Sequence, residues 1–436
     1  MKDFPNVPLM GHIWDICLWL LALVLLVGLA LAQPKAKRWR IVTVTAGITA
    51  LLTVIIVATV IGYFRVPHTE IPFQAVGGGI LAVLALLLST SALVTNRHRW
   101  WVLAPLSLSI VVCLLLFNDG YAIYPDTRSL APAVSYTGLA ARDIPAAADT
   151  TANGTVPVSQ WKPPHRPLRY GVVSTVQIPA PSSKFHARPA KIYLPPAWFS
   201  VPRPELPVLV LMPGIPGSPA AWFDQGGATQ LANEYQSAHH GLSPIIISVD
   251  ASGGKWNDPV CTDSRAGNVR TYLTEDVPSF LKSRFNADPD QNNWVIGGLS
   301  YGGTCALQTV ANAPTSYGAF LNFSGERTPN NGTTHAEVIR KFFGSEANFD
   351  RQNPEHILKT EAKDNQGLFA NTAGRFYAGK NDASAKRDLK LLHQLAQKAH
   401  LDSQYIEVAG GHNFLAWRES LRDAFPFVIE RSALPR

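Results

Sequence analysis

Four long, predominantly apolar runs dominate the first part of the chain: Ile13 to Ala32, Ile41 to Tyr63, Phe73 to Val94 and Trp101 to Phe117. At about 1.5 Å per helical residue each predicts a helix that crosses a hydrocarbon core of about 30 Å, the last with little to spare. Trp14, Trp19, Trp39, Tyr63, Phe64, Trp100, Trp101, Tyr121 and Tyr124 cluster near their ends, where amphipathic rings prefer the headgroup region. Residues 126–167 then lose all periodicity, turn rich in Ala, Pro and Thr, and read as a linker. From Leu168 onward short β-rich runs alternate with helical ones. Arg169–Ile178 and Lys191–Leu194 are expected as leading strands. Pro207–Met212, Pro244–Asp250, Asn293–Leu299, Ala319–Phe323, Arg375–Ala378 and Gln404–Val408 are expected as buried parallel strands. Tyr272–Phe285, Tyr301–Ala313 and Ala385–Ala399 supply helices between them, so residues 168–436 predict a doubly wound α/β domain.

Charge sharpens this picture. Hydrophobic residues make up 47% of the 436 positions and charged ones only 16%, which excludes a disordered chain and argues against a wholly soluble one. The net charge of +7 divides into +4 for residues 1–125, +1 for 126–167 and +2 for 168–436, so the large domain is nearly neutral. No basic stripe interleaved with aromatics runs through it, and nucleic acid is not an expected partner. Lys35, Lys37, Arg38 and Arg40 lie between the first two runs and Arg97 and Arg99 between the last two, whereas the second connection has Arg65 against Glu70. Cation-rich loops stay cytoplasmic. The expected arrangement is therefore a multi-pass plasma-membrane protein with four spans, both termini and the large domain being extracytoplasmic. Ala30-Leu31-Ala32 has the small residues of a signal-peptidase site, but Asp3 offsets Lys2 ahead of the run and four cations follow it, the reverse of a signal peptide.

The sharpest chemical signal is Gly298-Leu299-Ser300-Tyr301-Gly302-Gly303, between a strand-like and a helix-like run. That context is a nucleophile elbow, a tight turn that exposes a serine hydroxyl above the strand ends. Such a hydroxyl needs a base, and imidazole titrates near working pH. His412, in Gly410-Gly411-His412-Asn413-Phe414 after the last expected strand, is the candidate among 12 histidines. An acid to orient it should fall between the two in sequence. Asp382 ends a strand-like segment there, with Asp350, Asp364 and Asp388 as competitors. Oxyanion donors are expected from the backbone N–H of Tyr301 and from the loop Pro213-Gly214-Ile215-Pro216-Gly217, where Pro216 has no N–H and Ile215 is preferred. Cys17 and Cys113 fall in apolar runs. Cys261 and Cys305 belong to the outward domain, where an oxidising compartment permits a bridge without establishing one. His239-His240 reads as a solvated pair, no HExxH, CxxC or dense Asp cluster occurs, and no metal or cofactor is required.

Together these features resemble the esterase family of α/β-hydrolases that includes S-formylglutathione hydrolase, feruloyl and enterochelin esterases and mycolyltransferases. The likeness covers roughly residues 170–430. It rests on Ala190-Lys191-Ile192-Tyr193-Leu194-Pro195-Pro196, the 213–217 loop followed by Trp222, Leu273-Thr274-Glu275-Asp276-Val277-Pro278, the elbow, and Gly410-Gly411-His412 with Trp417. Family members usually carry histidine where this chain has Pro213. The resemblance implies an α/β-hydrolase fold, Ser300, Asp382 and His412 as triad, and Ile215 and Tyr301 as oxyanion donors. Residues 326–372 have the length of a small cap, whose Phe342, Phe343 and Phe349 read more readily as cap packing than as substrate contacts. The expected function is a membrane-anchored serine ester hydrolase acting through an acyl-enzyme on a lipid-linked or amphiphilic ester, membrane lipids being its surroundings. Four spans with an outward esterase also look like envelope hydrolases that remove aminoacyl groups from phosphatidylglycerol. Two alternatives stand beside it: transfer of the acyl group to a sugar or lipid hydroxyl, and a non-catalytic binding module, which would predict an eroded triad. Oligomeric state is not legible.

Overall fold

The computed structural model describes residues 7–62, 71–95, 97–130, 144–145, 154–164 and 168–435. Arg65 and Glu70 lie outside them. The chain forms two compact units, one holding Met1–Pro132 and the other Ala133–His412 and Ala416–Arg436.

The first unit contains α1 (His12–Leu31), α2 (Arg38–Gly62), α3 (Phe73–Thr95) and α4 (Leu103–Tyr121). With short 3-10 turns continuing α2 and α4 backwards, four helices among the described residues are long and apolar enough to cross a membrane: His12–Leu31, Lys35–Gly62, Phe73–Thr95 and Trp100–Tyr121. The fourth runs four residues beyond the apolar stretch ending at Phe117, through Asn118 and Asp119, and its 22 residues reach about 33 Å. Leu18, Ala22, Leu25 and Leu29 of α1 and Leu81, Ala85, Leu88 and Ala92 of α3 are the buried hydrophobic positions, with Gly78 and Ser89 of α3 buried beside them. Both sets step by four, three and four residues, the spacing of a helix–helix seam. Small residues bring the backbones close. A Cβ on Gly78 would lie 3.2 Å from the Cys113 carbonyl oxygen of α4. The opposite faces present Ile13, Leu20, Leu23, Val54 and Leu114, all more than half exposed, to the surroundings. Pro8 bridges Asp126 in an antiparallel pair, so the chain enters and leaves this bundle at one end.

The second unit is built on an eight-stranded sheet. Its strands are β1 (Val172–Val176), β2 (Ala190–Leu194), β3 (Val208–Met212), β4 (Ile245–Ser248), β5 (Val295–Leu299), β6 (Ala319–Phe323), β7 (Ala373–Gly379) and β8 (Asp402–Val408). Their spatial order is β8-β7-β6-β5-β3-β4-β2-β1. β2 pairs antiparallel with β1 and β4, and all other pairs are parallel. This is an α/β-hydrolase fold. Every residue of β3, β4, β5 and β6 is buried, as helices on both faces require, and that is why these strands read as mostly apolar runs, interrupted by Ser248 and Asn322, rather than alternating ones. β3 and β5 are neighbours although β4 lies between them in sequence. The loops leaving them therefore border a crevice at the topological switch point, where open α/β sheets hold their ligands.

The helices α5 (Ala228–Ala238), α6 (Val277–Phe285), α7 (Tyr301–Asn312), α8 (Pro354–Asp364), α9 (Ala383–Lys398) and α10 (Phe414–Arg431) complete the layers. The run expected as one helix from Tyr272 begins as a π-helical turn, Tyr272–Asp276, ahead of α6. Pro278, which has no N–H to donate back, sits at this junction. Within 326–372, Phe342, Phe343 and Phe349 pack with Val338 and Val260 in a small core of their own.

Described parts of the stretch expected as a linker, 126–167, make specific contacts. Thr155–Pro157 pairs in parallel with Arg203–Glu205, Trp161 is buried and donates from Nε1 to Ser200 Oγ at 2.8 Å, and Ile144 joins the hydrolase core. Arg284 donates to the Ile144 and Pro145 carbonyls at 2.8 and 2.7 Å. The Ala/Pro/Thr composition of 126–167 averages over these two apolar side chains, whose burial composition alone does not reveal. Residues 131–143, 146–153 and 165–167 lie outside the described residues.

Candidate active site

Three parallel strands deliver the site. β5 ends in Gly297-Gly298-Leu299, and Ser300 follows with φ 53° and ψ −119°. A positive φ is costly for a residue with a Cβ and persists only where surrounding contacts enforce it. Here the Ser300 N–H donates to the Phe323 carbonyl of β6 at 2.8 Å, and its carbonyl accepts from Gly303 and Thr304 at 2.9 and 3.1 Å. The turn also needs small neighbours. A Cβ on Gly302 would stand 2.4 Å from the Met212 carbonyl oxygen, and one on Gly298 2.5 Å from the Gly302 carbonyl carbon. α7 can thus press directly on the ends of β3 and β5, with the Tyr301 N–H in its first turn and the Tyr301 hydroxyl donating to the Ala251 carbonyl at 2.8 Å.

His412 approaches from the loop after β8. Lys380 and Asn381 donate backbone N–H groups to the Val408 and Gly410 carbonyls at 2.8 and 2.9 Å, stitching the loop after β7 to the one carrying the histidine. His412 Nε2 lies 3.0 Å from Ser300 Oγ and its Nδ1 lies 2.8 Å from Asp382 Oδ2. The Trp417 ring meets the imidazole edge-on, centroids 5.3 Å apart. An ionised carboxylate only accepts, so Nδ1 carries the proton and Nε2 offers its lone pair to the serine hydroxyl.

Asp382 is the N-cap of α9, and its side chain is 2% exposed. Its Oδ1 accepts from the Ala385 N–H and the Ser384 hydroxyl, both at 3.1 Å. Burial alone would raise this carboxyl, but hydrogen bonds from His412, the Ala385 N–H and the Ser324 hydroxyl, with the positive charge of the imidazole once it is protonated, hold it below the usual carboxylate range. Ser324 escaped sequence reasoning. It immediately follows β6, has φ 54° and donates its N–H to the Tyr377 carbonyl at 2.8 Å; its only sequence signal is its place at a strand end. The rival acids lie elsewhere: Asp350 is 3.8 Å from His356, Asp364 ends α8, and Asp388 pairs with Arg387 at 2.8 Å. The loop after β3 reaches Ser300 as well. A Cβ on Gly214 would be 3.2 Å from the Ser300 Cβ, which sets Ile215 one residue from the contact; the Ile215–Pro216 peptide is cis. His239 stacks on Tyr235 with ring centroids 3.9 Å apart.

Cys261 and Cys305 are joined in a disulfide, with Cα atoms 5.3 Å apart and 44 residues separating them in sequence. It ties the loop after β4 to the second turn of α7. A covalent loop of this size restricts the unfolded chain by about 4 kcal/mol. Thermal unfolding of the detergent-solubilised full chain should therefore shift down by about 10 °C in the Cys261→Ala, Cys305→Ala variant; an unshifted transition would rule out this contribution.

The family described as "Putative esterase" matches residues 185–428. An uncharacterized protein of Corynebacterium glutamicum is 36% identical over 92% of this chain and 91% of its own length. Iron(III) salmochelin esterase of Escherichia coli is 25% identical over 54% of this chain and 53% of its own length. Among solved structures, S-formylglutathione hydrolase from Agrobacterium tumefaciens superposes with a TM-score of 0.50 at 17% identity, over 61% of this chain and 97% of that one, a likeness of fold.

Proposed function

We propose, from the premise that this chain belongs to the esterase family of α/β-hydrolases, that it is a membrane-anchored serine ester hydrolase working on an amphiphilic ester at the outer face of the plasma membrane. The observation that carries this reading is the hydrogen-bonded row of Ser300, His412 and Asp382 at the strand ends. Ser300 Oγ attacks the ester carbonyl as its proton passes to His412 Nε2, and the carbonyl electron pair moves onto oxygen. The N–H groups of Tyr301 and Ile215 receive that oxyanion, each worth about 3 kcal/mol in the transition state. Collapse breaks the bond to the leaving alcohol, which takes the proton from the imidazolium. Water then repeats the sequence against the acyl-enzyme, releasing the acid and restoring the serine.

Anchoring is supported by the four apolar helices. An even number of spans, an entry and exit at one end of the bundle, and cations at 35–40 and 97–99 favour both termini outside. The substrate class we favour is an ester on an envelope lipid, with aminoacyl-phosphatidylglycerol as the specific candidate by analogy. The purified full chain, given a short acyl ester with and without trehalose or glycerol, should release free acid as its main product; transfer to the added hydroxyl outrunning release would make it an acyltransferase instead. Cells carrying Ser300→Ala should accumulate aminoacylated phospholipid relative to wild type. An unchanged pool would remove that substrate.

A further inference from the structure

Two residues outside the triad, Arg188 and Asp250, form a clamp beside the loop after β3. Asp250 closes the stretch following β4 and is fully buried. Its Oδ2 accepts from the Arg188 backbone N–H at 2.8 Å and Nε at 2.9 Å, while Oδ1 accepts from Arg188 Nη2 at 2.8 Å and Ser252 Oγ at 2.9 Å. Burial pushes this carboxyl up, but the Arg188 fork and backbone, with Ser252, bring it below the usual range. The planar guanidinium, so gripped on one edge, has one direction left for Nη1, and that nitrogen donates to the Gly217 carbonyl at 2.8 Å.

Gly217 in turn sets a peptide plane. A Cβ on Gly217 would stand 2.3 Å from the Gly214 carbonyl oxygen, so its Cα lies directly against that oxygen. The Gly214 carbonyl and the Ile215 N–H belong to one rigid trans peptide and point in opposite directions. Where Gly217 sits therefore limits how far the Gly214–Ile215 peptide can rotate, and with it the direction open to the Ile215 N–H. On its other side Gly217 is held by a longer bond, its N–H to the Lys255 carbonyl at 3.4 Å.

We propose that Arg188, clamped by Asp250, is a positioning residue for the oxyanion hole: through Gly217 it orients the Gly214–Ile215 peptide beside Ser300. This rests on the reading of the 213–217 loop as a source of an oxyanion donor. The test is Arg188→Lys in the full chain, because an ammonium keeps a cation next to Asp250 but lacks the fork that reaches the carboxylate and Gly217 together. Loss of an oxyanion donor costs about 10²- to 10³-fold in kcat, and misaiming one should cost roughly 10- to 100-fold. KM should stay within about threefold, since the ground-state carbonyl gains little from the hole. The pH midpoint of kcat should not move, because His412 and Asp382 are untouched. Asp250→Asn should act in the same direction.

A purely structural role would instead lower the thermal midpoint or the yield of folded protein, with kcat per phosphonate-titrated site unchanged. Arg188→Lys within twofold of wild type on that basis would overturn the proposal while leaving the esterase reading intact. A wild type that turns over no ester would overturn both.

Discussion

Ser300→Ala is expected to lower ester turnover by about 10⁶-fold and to abolish covalent labelling by a fluorophosphonate. The hydroxyl is the atom that forms the acyl-enzyme, so its loss removes the covalent route rather than weakening it. What remains is the oxyanion hole acting on a bound ester with water as nucleophile, a residual of about 10³- to 10⁴-fold over the uncatalysed reaction. KM should change little, because a hydroxyl at 3.0 Å from His412 makes its largest contribution in the transition state. Folding should survive: the strained backbone at φ 53° is held by the Phe323 carbonyl and the start of α7, which alanine retains. Equal labelling of wild type and variant would transfer the nucleophile elsewhere and dissolve the mechanism.

Asp382→Asn should reduce kcat by about 10⁴-fold with the fold preserved. The carboxylate at 2.8 Å from Nδ1 selects the tautomer with hydrogen on that nitrogen. An amide can offer its own N–H there, and the imidazole then places its hydrogen on Nε2, facing the serine hydroxyl it is meant to deprotonate. The developing imidazolium also loses its buried countercharge. Asp388→Asn is the matched control, since Asp388 pairs with Arg387 on the face of α9, and its activity should equal wild type. Comparable losses in the two variants would show that the effect comes from destabilising α9 and not from the tautomer.

Several features were legible because they are local. The β3 and β5 runs are continuous and free of polar side chains since both faces are covered, and the elbow glycines are adjacent in sequence to the residue they serve. Ser324 and the Arg188–Asp250 clamp were not legible. Each lies far in sequence from its partner, 62 residues in the case of the clamp, and a lone Arg or Ser in a polar loop looks the same whether it is solvated or buried. The burial of Trp161 and Ile144 before Leu168 was not legible for a related reason: composition describes a segment's average, whereas burial is decided residue by residue.

The order of apolar and polar residues by itself determined four long apolar helices, an alternating α/β domain and a serine held at a strand-to-helix turn, because hydrophobic periodicity and glycine-dependent turns act over a few residues. Tertiary structure alone decided which acid among four would face His412, that Cys261 and Cys305 would meet, and that a buried carboxylate after β4 would reach through an arginine to the loop beside Ser300. Those outcomes depend on strand order and on hydrogen-bond distances of about 3 Å, and such convergence arises only when remote segments are brought together by the shared core of the sheet.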